Sequence, residues 1–241
     1  MSARSIIFNG HDFSSITTAV VADVSALPAD LEIASAAGAA KSVLLNRTAT
    51  PRVLRATLYL DGLADADILE LETARRQVRK WLLAPEGAEL VVPASPEITY
   101  RDVVVASAGA WSSNGADGAC EVVFWALDPV GYGQRVSASA ATVEVGGTYR
   151  TWPILRLRAR AGSYLRVRDT LGGGFVELER SFADGDTVVV DMEAGRASVN
   201  GTSATADVTL ESDFFCLAPP RASISVTGAE LVSLEFFERW V

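Results

Sequence analysis

The chain has 241 residues, 49 % of them apolar, with a formal net charge of −9; this leaves room for two modest domains and disfavours a protein built to hold nucleic-acid phosphates. No apolar run approaches the roughly 20 residues needed to cross a bilayer. The N-terminus, with Arg4 before the short patch Ile6 to Phe8 and Asn9-Gly10 close behind, reads as a strand and a turn rather than a secretory signal.

In chain order, Ile6 to Phe8 and Asn9-Gly10 open the fold, and Ala19 to Val24 forms a second short apolar run. Leu27 to Ala40 carries Pro28, Gly38 and many alanines, and reads as a long loop or a hairpin arm. Arg52 to Leu60 alternates cleanly, with Leu54, Ala56, Leu58 and Leu60 on one face and Arg55, Thr57 and Tyr59 on the other. Asp61-Gly62 then turns into the one convincing amphipathic helix, over residues 67–83. Its apolar stripe is Ile68, Leu71, Ala74, Val78, Trp81 and Leu82. Carboxylates crowd its front and Arg75, Arg76, Arg79 and Lys80 its back, as the helix dipole favours. Asp65 or Asp67 is the expected N-cap. Arg75 falls at the border of the apolar arc, where it either snorkels or pairs with a carboxylate across a domain or subunit contact.

Beyond the helix, Glu89 to Val92, Tyr100 to Ala106 and Cys120 to Leu127 read as strands, with a glycine and asparagine loop from Ser112 to Gly118 and a sharp stop at Asp128-Pro129. The small polar run from Gln134 has linker composition, so the expected domains are residues 1–133 and 149–241, joined by a linker over 134–148. The second part is strands throughout. Ile154 to Arg160 turns at Gly162-Ser163 into Tyr164 to Arg168, an apparent hairpin that puts Arg156, Arg158, Arg160, Arg166 and Arg168 on one face. That face is either an anion or partner surface, or a solvated face whose charges meet Glu177 and Glu179 on the next strand. Thr187 to Met192, Ala197 to Val199 with Asn200-Gly201, Asp213 to Leu217, Ala222 to Val226 and Leu231 to Phe237 complete the set. The fold class is mainly β: two β sandwiches, the first with a single helix.

Catalytic signals are weak. His11, the only histidine, sits in a turn, and neither Cys120 nor Cys216 has a supporting motif, so both thiols read as free and buried. Asp191 and Glu193 share a strand face and suggest a glycosidase pair; with Asp184 and Asp186 they suggest calcium. All flank strand ends, however, where carboxylates serve the backbone. Neither a cofactor nor a metal ligand set is expected.

The ordered series of segments resembles the distal tail proteins of long-tailed phages with non-contractile tails. The opening Ile-Ile-Phe8-Asn9-Gly10 run, the Arg52 to Leu60 strand with a charged helix ending at Trp81-Leu82, and Phe124 with Asp128, Pro129 and Tyr132 fall in family-like places. In the second half, the run through Asp191 to Asn200-Gly201 and Phe214 to Leu217 does the same, while Pro219-Pro220 departs from the family's turn. The resemblance implies a structural virion protein without catalysis. It implies a homo-oligomeric ring, commonly a hexamer, at the end of the tail tube, contacting the tail tube protein, a tail-tip or tail-associated lysin protein and a receptor-binding protein. It implies assembly in the host cytoplasm, a place at the virion tail tip, no membrane insertion, and a second domain similar to a galectin or carbohydrate-binding module. Arg75, Arg79 and the five arginines of the apparent hairpin are the candidate subunit or partner contacts. The reading from another class is a free carbohydrate-binding module or adhesin using exposed aromatics such as Tyr164 or Trp152.

Overall fold

A computed structural model describes residues 5–23, 29–34, 43–60, 68–113 and 118–241. The protein falls into two compact units, Met1–Tyr132 (with Val241) and Gly133–Trp240. It is mainly β, with α1 (Ile68–Leu82) the one α-helix among the described residues. No helix there is long and apolar enough to cross a membrane.

The first unit begins with a two-residue hairpin, β1 (Ile7–Phe8) and β2 (His11–Asp12), turned by Asn9 and Gly10. Both turn residues have positive φ, 50° and 72°, as a type I′ turn requires and as Asn-Gly supplies at least cost. Strands β3 (Thr17–Asp23), β6 (Arg52–Leu60), β10 (Gly118–Ala126) and β8 (Ser95–Ala108) then lie side by side, antiparallel. Strand β7 (Ala88–Val92), which precedes β8, pairs antiparallel with it and with β1, and β9 (Ser112–Ser113) pairs with the start of β10. Between β3 and β6, strands β4 (Ala29–Ala34) and β5 (Val43–Ala49) form a separate two-stranded arm. The arm alternative for this segment therefore stands for Ala29 to Ala34, and the rest of that stretch lies outside the described residues, as do Asp61-Gly62 and the N-cap candidates Asp65 and Asp67.

The core of this unit joins the inward face of the sheet (Leu54, Ala56, Leu58, Val122, Phe124) to Val78 and Leu82 of α1 and to Ile6, Phe8, Phe13 and Leu90. Phe8 meets Phe124 at 5.2 Å between ring centroids. Each buried Val, Leu, Ile or Phe among them contributes about 1.5–3 kcal/mol of hydrophobic transfer. The expected apolar stripe of α1 is buried only toward its C-terminal end, since Ile68 is 81 % exposed. Cys120 is in this core, its thiol pushed up by burial, against the opposing field of Arg79, and donating to the Gly109 carbonyl at 3.3 Å. Cys216 is half-buried, so its expected full burial is not met; both thiols are free.

The chain enters the second unit within β11 (Gly131–Ala138) and continues through β12 (Thr142–Glu144). Residues 134–138 and 142–144, expected as linker, are strand. Val136 and Ala138 pack against the core, and Val143 and Val145 lie inside it, so a two-residue alternation was hidden among serines and alanines. Two sheets enclose that core. One has the order β18 (Thr202–Ser203), β17 (Arg196–Val199), β16 (Thr187–Asp191), β13 (Ile154–Ala159), β20 (Ala229–Trp240), β11. The other has the order β12, β19 (Arg221–Thr227), β14 (Gly162–Asp169), β15 (Phe175–Phe182). The final strands form regularly after Pro219-Pro220. Asp213 to Leu217, expected as a strand, makes only an isolated bridge from Leu217 to Thr151 and a backbone bond from Asp213 N–H to Phe175 O.

Candidate assembly surfaces

Strands β13 and β14 belong to different sheets of the second unit, so the arginine hairpin does not exist. Leu155 and Leu157 point into the core from one sheet, Leu165 and Val167 from the other. Arg156, Arg158 and Arg160 consequently lie on one outer face of the sandwich, and Arg166 and Arg168 on the opposite one. Arg166 Nε meets Glu177 Oε2 at 2.6 Å, with its guanidinium 4.7 Å from the Phe175 ring, as the cross-strand charge reading expects. Arg156 and Arg135 both reach Glu235, and the hydrogen bond from Arg135 is the main cause holding its carboxyl below the usual range. An open hollow of about 590 Å³ beside Arg166 is lined by Ser163, Tyr164, Glu177 and Glu179. Trp152, the other aromatic named for a sugar site, is half-buried against Arg150 and Arg239, at 5.3 and 4.8 Å.

Of the carboxylates considered for catalysis or calcium, Asp191 and Asp186 serve the backbone, and Glu193 serves an arginine. Asp191 Oδ1 accepts the N–H of Glu193 and Ala194 (3.1 and 3.0 Å), and Glu193 pairs with buried Arg239 at 2.6 Å. Asp186 accepts Asn200 Nδ2 at 2.9 Å and Ala183 N–H at 2.8 Å; the Asn200 bond is the larger cause of its lowered carboxyl pKa. Asn200 and Gly201, at φ 49° and 79°, repeat the turn device of Asn9 and Gly10. Among the described residues no group of three or more His, Cys, Asp or Glu converges as a metal site requires.

In the first unit, His11 stacks on Trp81 at 5.5 Å while Phe13 meets the same ring at 5.0 Å, which fastens the opening hairpin to α1. Asp128 accepts Val130 N–H at 3.1 Å and the Tyr132 hydroxyl at 2.7 Å, so the Asp128-Pro129 pair shapes the turn into β11. Arg75 is mostly buried and donates to Glu72 on its own helix at 2.8 Å. This pair, within the helix, is neither of the two alternatives the sequence offered, and a Cβ at Gly118 would approach the Arg75 guanidinium to 3.2 Å. Arg79 is exposed on the same helix.

A departure from a solvated surface that the charge pattern of the sequence does not signal is the outward face of β3, β6, β10 and β8. Alternation and register place Val20, Val53, Thr57, Tyr59, Val104, Val123 and Trp125 there, around one ion pair, Arg55 to Glu121 at 3.4 Å. Val20 is 62 % exposed and Trp125 47 %. An antiparallel sheet with one wet face normally alternates apolar-in and polar-out, and an exposed apolar expanse of this kind marks an interaction surface.

Residues 146–240 match the family described as siphovirus-type tail component, C-terminal domain. No curated protein matches the chain in sequence. Among solved structures, the Dit protein of phage SPP1, described as a paradigm of the hub adsorption apparatus in phages infecting Gram-positive hosts, is similar over 98 % of this chain and 99 % of its own, with 17 % identity and a TM-score of 0.81. The phage P2 baseplate in its activated conformation is similar with calcium at 10 % identity, over 92 % of this chain and 90 % of that one, with a TM-score of 0.43. The same baseplate with strontium is similar at 10 % identity over 90 % and 89 %, with a TM-score of 0.41. The C-terminal unit is thus similar over residues 146–240 to a siphovirus-type tail component domain, and the chain as a whole shares the fold of the SPP1 Dit protein.

Proposed function

We propose that the protein is a ring-forming hub of a phage tail tip, with the N-terminal unit building a ring, hexameric as is common in such proteins, and the C-terminal unit, similar to a galectin or carbohydrate-binding module, projecting to dock other tail proteins. The observation that supports this most directly is the exposed apolar face of the β3–β6–β10–β8 sheet. A lone globular subunit gains nothing from keeping Val20, Tyr59 and Trp125 in water, whereas a ring buries such a face at every joint. In this reading the ring abuts the tail tube protein on one side and a tail-tip or tail-associated lysin protein on the other. A receptor-binding protein engages the C-terminal unit, and assembly takes place in the host cytoplasm. The carboxylates once considered for hydrolysis are engaged with turns and arginines, consistent with a structural role.

Native mass spectrometry and negative-stain imaging of the purified chain test this reading, first alone and then with the tail tube and tip proteins of the same particle. Closed rings of one order are expected. A chain that stays monomeric under both conditions and binds neither neighbour sinks it.

A further inference from the structure

We infer that neighbouring copies are joined by exchange of an arm: the β4–β5 hairpin of one copy lies across the outward face of the β3–β6–β10–β8 sheet of the next. The inference rests on the ring reading and names the surfaces that meet in it.

The arm buries none of the side chains described on it: Asp30, Glu32, Ile33, Ala34, Asn46, Thr48 and Ala49 are all exposed. A two-stranded hairpin without a covered face is marginally stable in water. Its register makes it two-sided. Asp30 is in register with Thr48 and Glu32 with Asn46, giving one polar face, while Leu31 and Ile33 alternate to the other, in register with Arg47 and, past a shift in register, with Leu44. Ile33 is 58 % exposed. The same unit therefore has an arm with a polar side and a side that holds Ile33 in water, and a sheet whose outward side holds Val20, Tyr59 and Trp125 in water. Neither covers the other within one copy, since Ile33, Val20, Tyr59 and Trp125 all remain exposed. Only Thr50 and Pro51 separate the arm from β6, which ties its base to the end of the sheet where Arg52 meets Asp23 at 3.2 Å.

The dimensions agree. Four strands spaced about 4.8 Å apart, with outward residues over about 20 Å of strand, present roughly 400 Å². Strands of six or seven residues are about 20 Å long and a pair of them about 10 Å wide, so the side of the arm that carries Ile33 fits within that face. The Arg55 to Glu121 pair is neutralised in place and leaves no lone charge under the arm. With the arm seated, Asp30 and Glu32 point to solvent. The contact is heterologous, because an arm meets a face rather than another arm, and such a contact closes into a ring when its rotation allows.

The test uses the full-length chain with Cys216→Ser, carrying Ile33→Cys together with Tyr59→Cys and oxidised after assembly. A ladder of covalent multimers on a non-reducing gel is expected from the pair, and none beyond dimer from either single variant. In parallel, Ile33→Asp is expected to weaken self-association at least tenfold while leaving the circular dichroism spectrum and melting temperature unchanged. Rings that persist with Ile33→Asp and give no ladder from the cysteine pair overturn arm exchange and leave the ring reading standing. A wild-type chain that never self-associates, alone or with tube and tip proteins, overturns both.

Discussion

On β10, Phe124 points into a core and its neighbour Trp125 points into water; on β14, Leu165 points into a core and its neighbour Arg166 points into water. The inward residues do the same work in both units. The outward ones differ in kind. The C-terminal sandwich carries outward arginines, of which Arg135 and Arg156 meet Glu235 and Arg166 meets Glu177, so charge on these strands is balanced within the unit. The N-terminal sheet repeats apolar residues on its second side, which makes it a half-built layer until another surface arrives. In the proposed ring, stability and self-association are thus written on opposite sides of the same strand in the N-terminal unit, while the outer strands of the C-terminal unit carry charges paired within the unit.

Paired substitutions break or sharpen that contrast, and the inward ones have the largest effect on folding. Phe124→Ala is expected to cost about 3–5 kcal/mol and Leu165→Ala about 2–5 kcal/mol, measured by chemical denaturation. Trp125→Ser should change folding stability by no more than about 0.5 kcal/mol yet weaken self-association by about tenfold or more, which analytical ultracentrifugation reads. A Trp125→Ser chain that assembles as well as wild type would remove the distinction between the two outer faces.

The next largest effect lies in the C-terminal unit, at Gly147. Its φ is 90°, and a Cβ there would stand 2.2 Å from the Arg239 carbonyl oxygen, which accepts N–H bonds from Thr148 and Tyr149 at 2.9 and 3.0 Å. Gly147→Ala combines left-handed backbone with a clash against main chain, so a loss of roughly 1–3 kcal/mol is expected. Because the change lies far in sequence from the arm and the outward sheet, ring formation at low temperature should survive it. Loss of rings without loss of folding would contradict the division of labour.

How much of this was legible in the sequence depends on what each pattern encodes. The Asn9-Gly10 and Asn200-Gly201 turns are dictated locally, and both form as read. Alternation assigns the two faces of a strand, and it did so correctly for Leu54 to Leu60 and Leu155 to Ala159. It says nothing of which sheet the next strand joins, which is why the five arginines, continuous in sequence, part to opposite faces at Gly162. The stretch after Gln134 was missed because its alternating residues are alanine and valine among serines, too small to stand out by composition. The outward apolar face was half visible: Tyr59 was placed on it, but Val20, Val123 and Trp125 join it only through strand register, a long-range property. The similarity of residues 146–240 to a tail-component domain was legible as order and spacing of weak segments.

Smaller effects come from single charges. Arg166→Ala removes an exposed cross-strand pair and should cost no more than about 1 kcal/mol, with no change in self-association. Arg75→Ala removes an intrahelical pair and a stem packed near Gly118, and about 0.5–1 kcal/mol of stability is expected to go with it. Since Arg75 is engaged by Glu72 on its own helix, rings should form as before. Rings lost with folding intact would return Arg75 to the subunit contact that its place in the helix first suggested.

The smallest expected effect is a dependence on acid confined to the C-terminal unit's turns. Asp186 has its carboxyl pKa lowered first by the hydrogen bond from Asn200 and then by the Ala183 N–H. A carboxylate whose folded pKa lies below its unfolded value binds protons more readily when unfolded, so stability rises with pH across that interval. Its contribution is therefore complete above the unfolded value of about 3.9 and is lost as pH falls below it. Asn200→Ala removes the larger cause, so the variant's melting temperature should fall less steeply than wild type's between neutral pH and about pH 3. The two curves should draw together at the acid end. Parallel curves over that whole range would mean that the turn, and not the charge on Asp186, is what Asn200 stabilises.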